Sequence, residues 1–270
     1  MKNIKNLSSI DGIDFNNENS RDYYEKILSC ILDIGEILLK SGSEINRIED
    51  TMIRISKAYD FIRIDVLVIT SSIIVTAQTK NEDIISQTRR ITGRQTDMNK
   101  IEMVNDLSRK ICKNPVAIKN LKHEIFQINN TKGYPTWVIY IIYASIAATF
   151  SIFFGGVLLD AVAAAICGLF LKTFLDVGTK IKMQNIVLTI LASTFSGYLA
   201  YFLVFCHLGI NPDKIIIGII MLLIPGVALT SSLKDMLNGD LISGLLGISD
   251  ALIRALAIAI GFAVVMFNFG

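Results

Sequence analysis

Residues 133 to 159 read GYPTWVIYIIYASIAATFSIFFGGVLL, and no formal charge occurs between Lys132 and Asp160. A helix rises about 1.5 Å per residue, so roughly 20 residues cross a hydrocarbon core about 30 Å thick. Tyr134 to Phe154 therefore suffices for one complete span. Tyr134, Trp137 and Tyr140 cluster at its start, where amphipathic rings suit headgroup depth. Gly155-Gly156 turns the chain into a second apolar segment, Val157 to Val177, followed by Lys180 and Lys182. Three more segments follow: Ile186 to about Cys206, Ile215 into the 220s, and Gly247 to Phe267. Residues 134 to 270 thus read as the transmembrane domain of an α-helical integral membrane protein with about five spans, which makes the lipid bilayer its first partner.

Outward from that domain the composition changes. The whole chain has 270 residues, 52% of them hydrophobic and 19% charged. Residues 134 to 270 carry only six Lys/Arg and six Asp/Glu of the total 26 and 24, so the charge lies in the first half. Residues 1 to 20, rich in Asn, Asp and Ser, lack apolar periodicity and read as a mobile tail. Residues 21 to 133 read as a small α+β domain. Ile27, Leu28, Ile31 and Leu38 recur at helical spacing up to Ser41-Gly42, and Ser43 is the expected N-cap of a second helix carrying Ile45, Ile48, Met52, Ile55 and Tyr59. Period-two runs at Ile62 to Val68 and Ile73 to Thr79 predict a hairpin, with a third strand at Ile85 to Ile91. A helix near Met98 to Ile111 and another opened by Asn114-Pro115 complete the domain.

The polar N-terminus has no apolar core of the signal-peptide kind, which predicts a cytoplasmic start. Five spans then place Lys172, Lys180, Lys182 and Lys234 inside and only Lys214 outside, in accord with the positive-inside rule. The expected location is the cell (cytoplasmic) membrane, multi-pass, with Gly270 outside. Net charge is +2, and no basic cluster exceeds Arg89, Arg90 and Arg94, so a nucleic-acid partner is not expected. Cys30, Cys112, Cys167 and Cys206 are scattered without metal-ligand spacing, and no metal or cofactor is called for. His123 and His207 stand alone, and no nucleophile, base and orienting group recur together, so enzymatic chemistry is not expected.

The fourth span is the least regular. Pro225-Gly226 interrupts it, and a break near mid-membrane exposes backbone groups that only a protein-lined or wet cavity tolerates. Pro225, Gly226, Thr230 and Ser231 are the candidate solute path, against the plainer reading of a simple proline kink. The polar stretch that follows, TSSLKDMLNGDLISG from Thr230 to Gly244, holds Asp235 and Asp240. Either carboxylate is a candidate for ion coupling, with Asp160, one turn into the second span, as a third. Asp250 and Arg254, at the start of the fifth span, read as an i, i+4 pair or as interfacial anchors, and Lys172 and Asp176 as an i, i+4 structural pair near the inner end of the second. Ala161/Ala165, Ser193/Gly197 and Ala257/Gly261 read as helix-packing faces. Gly42, Glu44, Arg47 and Glu49 read as a charged site or as a solvated helix face with local ion pairs.

Two strings carry a family resemblance. Pro225-Gly226-Val227-Ala228-Leu229-Thr230, with Lys234-Asp235, Gly239-Asp240 and Ser243-Gly244, resembles the signature loop of the threonine/serine exporter (ThrE-like) family. Ser41-Gly42-Ser43-Glu44-Ile45-Asn46-Arg47-Ile48-Glu49 is similar to that family's motif between its first two helices. Ile45 and Lys234 depart from the usual Thr and Arg, and the hairpin lacks the usual Pro near Thr70-Ser71. The resemblance covers residues 24 to 268 and implies secondary export of small hydrophilic solutes, threonine and serine above all, with dicarboxylate export as an alternative. It further implies the larger component of a split, two-subunit form, whose partner is a shorter membrane protein, and leaves self-association into a homo-oligomer open. A membrane-tethered sensor with a ligand-binding cytoplasmic domain is the competing reading.

Overall fold

The computed structural model describes residues 18 to 269 except Arg94 and Lys132. The expected tail up to residue 17, Arg94 of the arginine group and the terminal Gly270 lie outside the described residues. The chain is mostly helical and divides into two compact units. One gathers the residues before 133 with Val227–Ile248, and the other comprises Gly133–Gly226 and Ser249–Gly270.

In the first unit, α1 (Glu18–Lys40) and α2 (Ile45–Ala58) precede β1 (Arg63–Ile69), β2 (Ser72–Gln78) and β3 (Ile84–Arg90); α3 (Met98–Lys113) and α4 (Ile118–Asn129) follow. The three strands form one antiparallel sheet in the order β1-β2-β3, with Val66 opposite Val75 and Thr76 opposite Ser86. Period two holds in β2, where Ile73, Val75 and Ala77 are buried and Ile74 is exposed. These side chains join Ile27, Leu28, Ile31 and Leu38 of α1, Ile45, Ile48, Met52 and Ile55 of α2, and Val104, Leu107 and Ile111 of α3 in one core. Every apolar position that the helical spacing marked in α1 and α2 is buried.

Two helix starts differ from expectation. Helix α2 has Glu44, not Ser43, at its N-cap. The amide of Ser43 is instead consumed in closing α1, donating to Leu38 O at 3.1 Å. Helix α4 begins at Ile118 rather than at Pro115: Asn114, extended (φ −152°, ψ 106°) before the proline, closes α3, and Ala117, also extended, takes the N-cap position.

The second unit contains α5 (Thr136–Phe153), α6 (Leu158–Lys180), α7 (Asn185–Phe205) and α8 (Pro212–Leu223). Helix α9 (Gly226–Leu237) belongs to the first unit apart from its initial glycine, and α10 (Leu241–Phe269) contributes its opening residues to the first unit and the remainder to the second. Four helices, α5, α6, α7 and α10, are long and apolar enough to cross a membrane; the count is five if α8 and α9 make one broken span. Large apolar side chains such as Phe153, Leu158, Phe202 and Phe267 are exposed on them, in an amount that water would not tolerate and lipid would. The interior mixes small residues, Ala147, Ala163, Ala164, Cys167, Ala192 and Ala200, with large ones such as Leu171, Ile215, Ile219 and Phe262. The Ser193/Gly197 and Ala257/Gly261 faces do pack. A Cβ at Gly261 would lie 2.6 Å from Ile190 O, and Gly197 faces Phe262 and Val265. The polar string after Pro225 is helical through Leu237 rather than a loop, and α10 starts six residues before the expected fifth span.

Candidate functional site

The two motif strings meet inside the first unit. Helix α1 ends in a Schellman turn: Gly42 N–H donates to Leu39 O at 3.2 Å and Ser43 N–H to Leu38 O at 3.1 Å. Gly42 takes φ +83°, the left-handed conformation that glycine adopts without a Cβ clash. Helix α9 ends the same way, with Gly239 (φ +102°) donating to Met236 O at 3.1 Å and Asp240 N–H to Asp235 O at 2.9 Å.

Helix α2 starts without a cap of its own, since the Glu44 side chain makes no capping bond. The first amides of a helix lack intrahelical acceptors. The orphan here is satisfied from 190 residues away: Asp235 Oδ1 accepts from Ile45 N–H at 3.0 Å. A carboxylate at that position also faces the positive end of the helix dipole. Asp235 is buried, and beside it Lys234 Nζ lies 3.0 Å from Glu44 Oε1. The adjacent residues Glu44-Ile45 thus engage the adjacent residues Lys234-Asp235 by one ion pair and one charge-assisted hydrogen bond.

Glu49, one turn into α2, points elsewhere. Its Oε1 accepts from Val68 N–H of β1 at 2.9 Å. Burial raises its carboxyl above the ordinary range, the Val68 bond partly opposes this, and the negative charge of Asp240 adds to the rise. Burial also raises the Asp240 carboxyl, and Asp240 Oδ2 is buried with no hydrogen-bond partner. In both carboxyls burial is the first cause of the upward shift. Arg47 is exposed and forms no ion pair among the described residues, so Glu44, Arg47 and Glu49 do not pair with one another.

The other candidate residues are spread out. Pro225 follows the end of α8, where Ile224 leaves the helix with ψ 126°, and Gly226 N–H donates to Ile224 O at 2.9 Å. Thr230 is exposed and its hydroxyl donates to Val227 O at 3.0 Å; Ser231 is half-buried. Asp160 has no exposed surface. Its Oδ1 accepts from Ile210 N–H at 2.6 Å and Asn211 N–H at 2.9 Å, and its Oδ2 from Val157 N–H at 3.1 Å and Asn211 Nδ2 at 3.2 Å. Four N–H donors fill the acceptor sites of this carboxylate, which makes it a tie between the start of α6 and the link into α8. Lys172 pairs with Asp176, which also accepts from Tyr140 OH at 3.3 Å, and Arg254 pairs with Asp250 at 3.0 Å, as the i, i+4 spacing predicted. Asp250 stands nine residues into α10 rather than at its start. Among the described residues, no group of three His, Cys, Asp or Glu side chains is placed to hold a metal ion.

The family model described as "Putative threonine/serine exporter" matches residues 29–268. The chain belongs to that family. It is also 23% identical over 245 residues to a Mycobacterium tuberculosis protein named "Probable threonine/serine exporter", a match covering 88% of this chain. The chain spans about half the length of that relative, 45% of which is matched. No solved structure matches it. Family membership and the apolar helices together indicate a membrane protein.

Both strings that carried the resemblance contribute to the Glu44–Lys234 and Ile45–Asp235 contacts. Sequence reading found each string and missed their junction, because a cap supplied in trans leaves no local trace. The one available signal was negative: Ile45 opens a helix behind a Glu44 that cannot cap it well.

Proposed function

We propose that this chain is an exporter subunit for small hydrophilic solutes, with threonine and serine first, driven by an ion gradient. The observation that carries the coupling part is Asp240 Oδ2, buried without a hydrogen-bond partner and close enough to Glu49 for its charge to act there, with burial raising both carboxyls. In this reading Asp240 takes up and releases the coupling proton. Asp235 is the positioning residue that fixes α9 to the start of α2, and Asp160 is the weakest of the three coupling candidates because N–H donors already fill its acceptor sites. The solute path uses the break at Pro225-Gly226, with Thr230 and Ser231 supplying hydroxyls.

The identity of the solute is drawn from the name of the relative, which applies to a protein of about twice the matched length. We therefore propose that transport also requires the counterpart of the relative's remaining part, supplied by a shorter membrane-protein partner. The lysine bias supports a cytoplasmic location for the first unit. Efflux of labelled threonine, serine and a dicarboxylate, from cells expressing the chain with and without that partner, tests the reading. Partner-dependent efflux of the two hydroxy amino acids is expected. Efflux of the dicarboxylate alone would overturn the solute assignment, and no efflux of any solute with the partner present would overturn export itself.

A further inference from the structure

A second polar feature of the first unit takes no part in the Asp235–Asp240 site. Helices α1 and α4 and strand β3 enclose an open cleft of about 440 Å³, within the range of small-molecule sites. Its floor is an ionic lattice. Arg89 Nη2 lies 2.7 Å from Asp33 Oδ1 and Nη1 3.7 Å from Glu36 Oε2, while Lys40 Nζ reaches Glu36 Oε1 at 2.6 Å. Lys122 lines the opposite wall from α4. Its charge is felt at Asp33, yet it forms no ion pair among the described residues. Between these charges the wall is apolar, made by buried Ile37 and Ile125 and by Phe126, whose ring is 66% exposed.

Both signs of charge therefore line one small cavity: two carboxylates, three cations, and one of those cations unengaged. A ligand bearing only a carboxylate meets repulsion from Asp33 and Glu36, and one bearing only an amine meets repulsion from Arg89, Lys40 and Lys122. A zwitterion is complementary at both ends. Each ionised carboxylate has about four acceptor positions, and the ion pairs to Arg89 and Lys40 leave some of them for a ligand ammonium. The exposed Phe126 ring gives an apolar side chain a surface to cover, which removes it from water.

We propose that this cleft binds a free α-amino acid with an apolar side chain, the ligand carboxylate on Lys122, its ammonium on Asp33 and Glu36, and its side chain on Ile37, Ile125 and Phe126. Such a site shares no residue with the proposed solute path. Lys40 and Glu36 occupy the last turns of α1, immediately before the Gly42 turn, and Gln95 N–H and Asp97 N–H hold that end by donating to Lys40 O and Ser41 O at 2.8 and 3.1 Å. A ligand seated on these side chains stiffens the segment that sets the start of α2.

The test is calorimetric titration of the full chain in detergent micelles with leucine and phenylalanine, beside 4-methylpentanoate and 3-methylbutylamine, which each lack one of the two charges of leucine. Saturable binding of the amino acids is expected, with each single-charge analogue weaker by about tenfold or more, the scale of one lost charge-assisted hydrogen bond. Lys122→Ala, a change at an exposed side chain, is expected to weaken amino-acid binding by a similar factor while leaving solute efflux intact. Asp33→Asn, which preserves shape, is expected to weaken binding as well. No saturable amino-acid binding, equal binding of the carboxylate-only analogue, or full binding by Lys122→Ala would each overturn the proposal. Binding is read without transport, so a failure of the export reading and a failure of this one are told apart.

Discussion

Asp235 caps helix α2 at Ile45, its Oδ1 accepting the Ile45 amide at 3.0 Å across 190 residues of chain. Loss of an N-cap acceptor costs about 0.5–2 kcal/mol. Asp235→Ala is expected to lower the stability of the detergent-solubilised protein by about that amount, whereas Asp235→Asn, which keeps an acceptor oxygen, is expected to lose less. Denaturant titration followed by circular dichroism checks this. Equal losses in the two variants would show that the carboxylate charge, and not the bond to Ile45, is what matters.

The neighbouring Lys234–Glu44 pair has a different weight. Lys234 is 62% exposed and Glu44 24% exposed, and ion pairs near water contribute about 0.2–1 kcal/mol. A double-mutant cycle through Lys234→Ala and Glu44→Ala is therefore expected to give a coupling energy below about 1 kcal/mol that shrinks further in high salt. A larger value that persists in salt would mean that this pair, like Asp235, is sheltered from solvent.

Alongside Asp33 and Glu49, whose carboxyls burial also raises, Asp240 is expected to contribute to the pH response. Its carboxyl and that of Glu49 are both raised, by burial first. A raised carboxyl stabilises the folded chain fully below its unfolded pKa, and that contribution is lost as pH rises through the folded value. Stability of the first unit should thus fall as pH increases above the ordinary carboxylate range, and Asp240→Asn should flatten that fall. Thermal unfolding between about pH 3 and 8, which spans the ordinary carboxylate range and the raised region above it, reports it. In transport, Asp240→Asn is expected to abolish proton-driven efflux while solute exchange persists, because exchange moves no net proton. Unchanged, pH-dependent efflux in this variant would remove Asp240 from the coupling role.

The native cysteines test orientation without engineering. Cys112 in α3 and Cys206 after α7 are exposed, while Cys30 and Cys167 are buried, and burial pushes the Cys30 thiol up to about 11. If the first unit is cytoplasmic, as proposed, and α5, α6 and α7 each span the membrane, a membrane-impermeant maleimide applied to intact cells should label Cys206 at once and Cys112 only after permeabilisation. Labelling of Cys112 first would invert the topology.

Local pattern made much of the fold legible. Helical spacing identified the buried faces of α1 and α2, alternation identified β1 and β2, and uncharged runs located α5, α6 and α7 to within a few residues. Where reading failed, the cause lay beyond the local window. Ser43 has the chemistry of an N-cap, but its amide was already committed to the turn at Gly42. Thr230 to Gly244 is polar enough to read as a loop, yet its first eight residues continue helix α9, whose Ser232 and Asp235 are buried against partners distant in sequence or one turn away. Asp160 was legible as an anomalous charge and not as a saturated one, because its donors at Ile210 and Asn211 are backbone amides fifty residues downstream. The cleft at Arg89 was missed for the same reason: Asp33, Arg89 and Lys122 are each ordinary surface charges until the fold gathers them.

The long reach of the Asp235 cap has a consequence for how the protein is made. Chains emerge during synthesis at about 5–20 residues per second, so Ile45 leaves the ribosome roughly 10–40 s before Asp235. Over that interval the nascent first unit has its sheet and four helices available but an unfinished start to α2. Only after the helices of the second unit up to α8 have been synthesised does the finishing side chain arrive. The start of α2 is therefore completed only once the chain has been synthesised as far as residue 235.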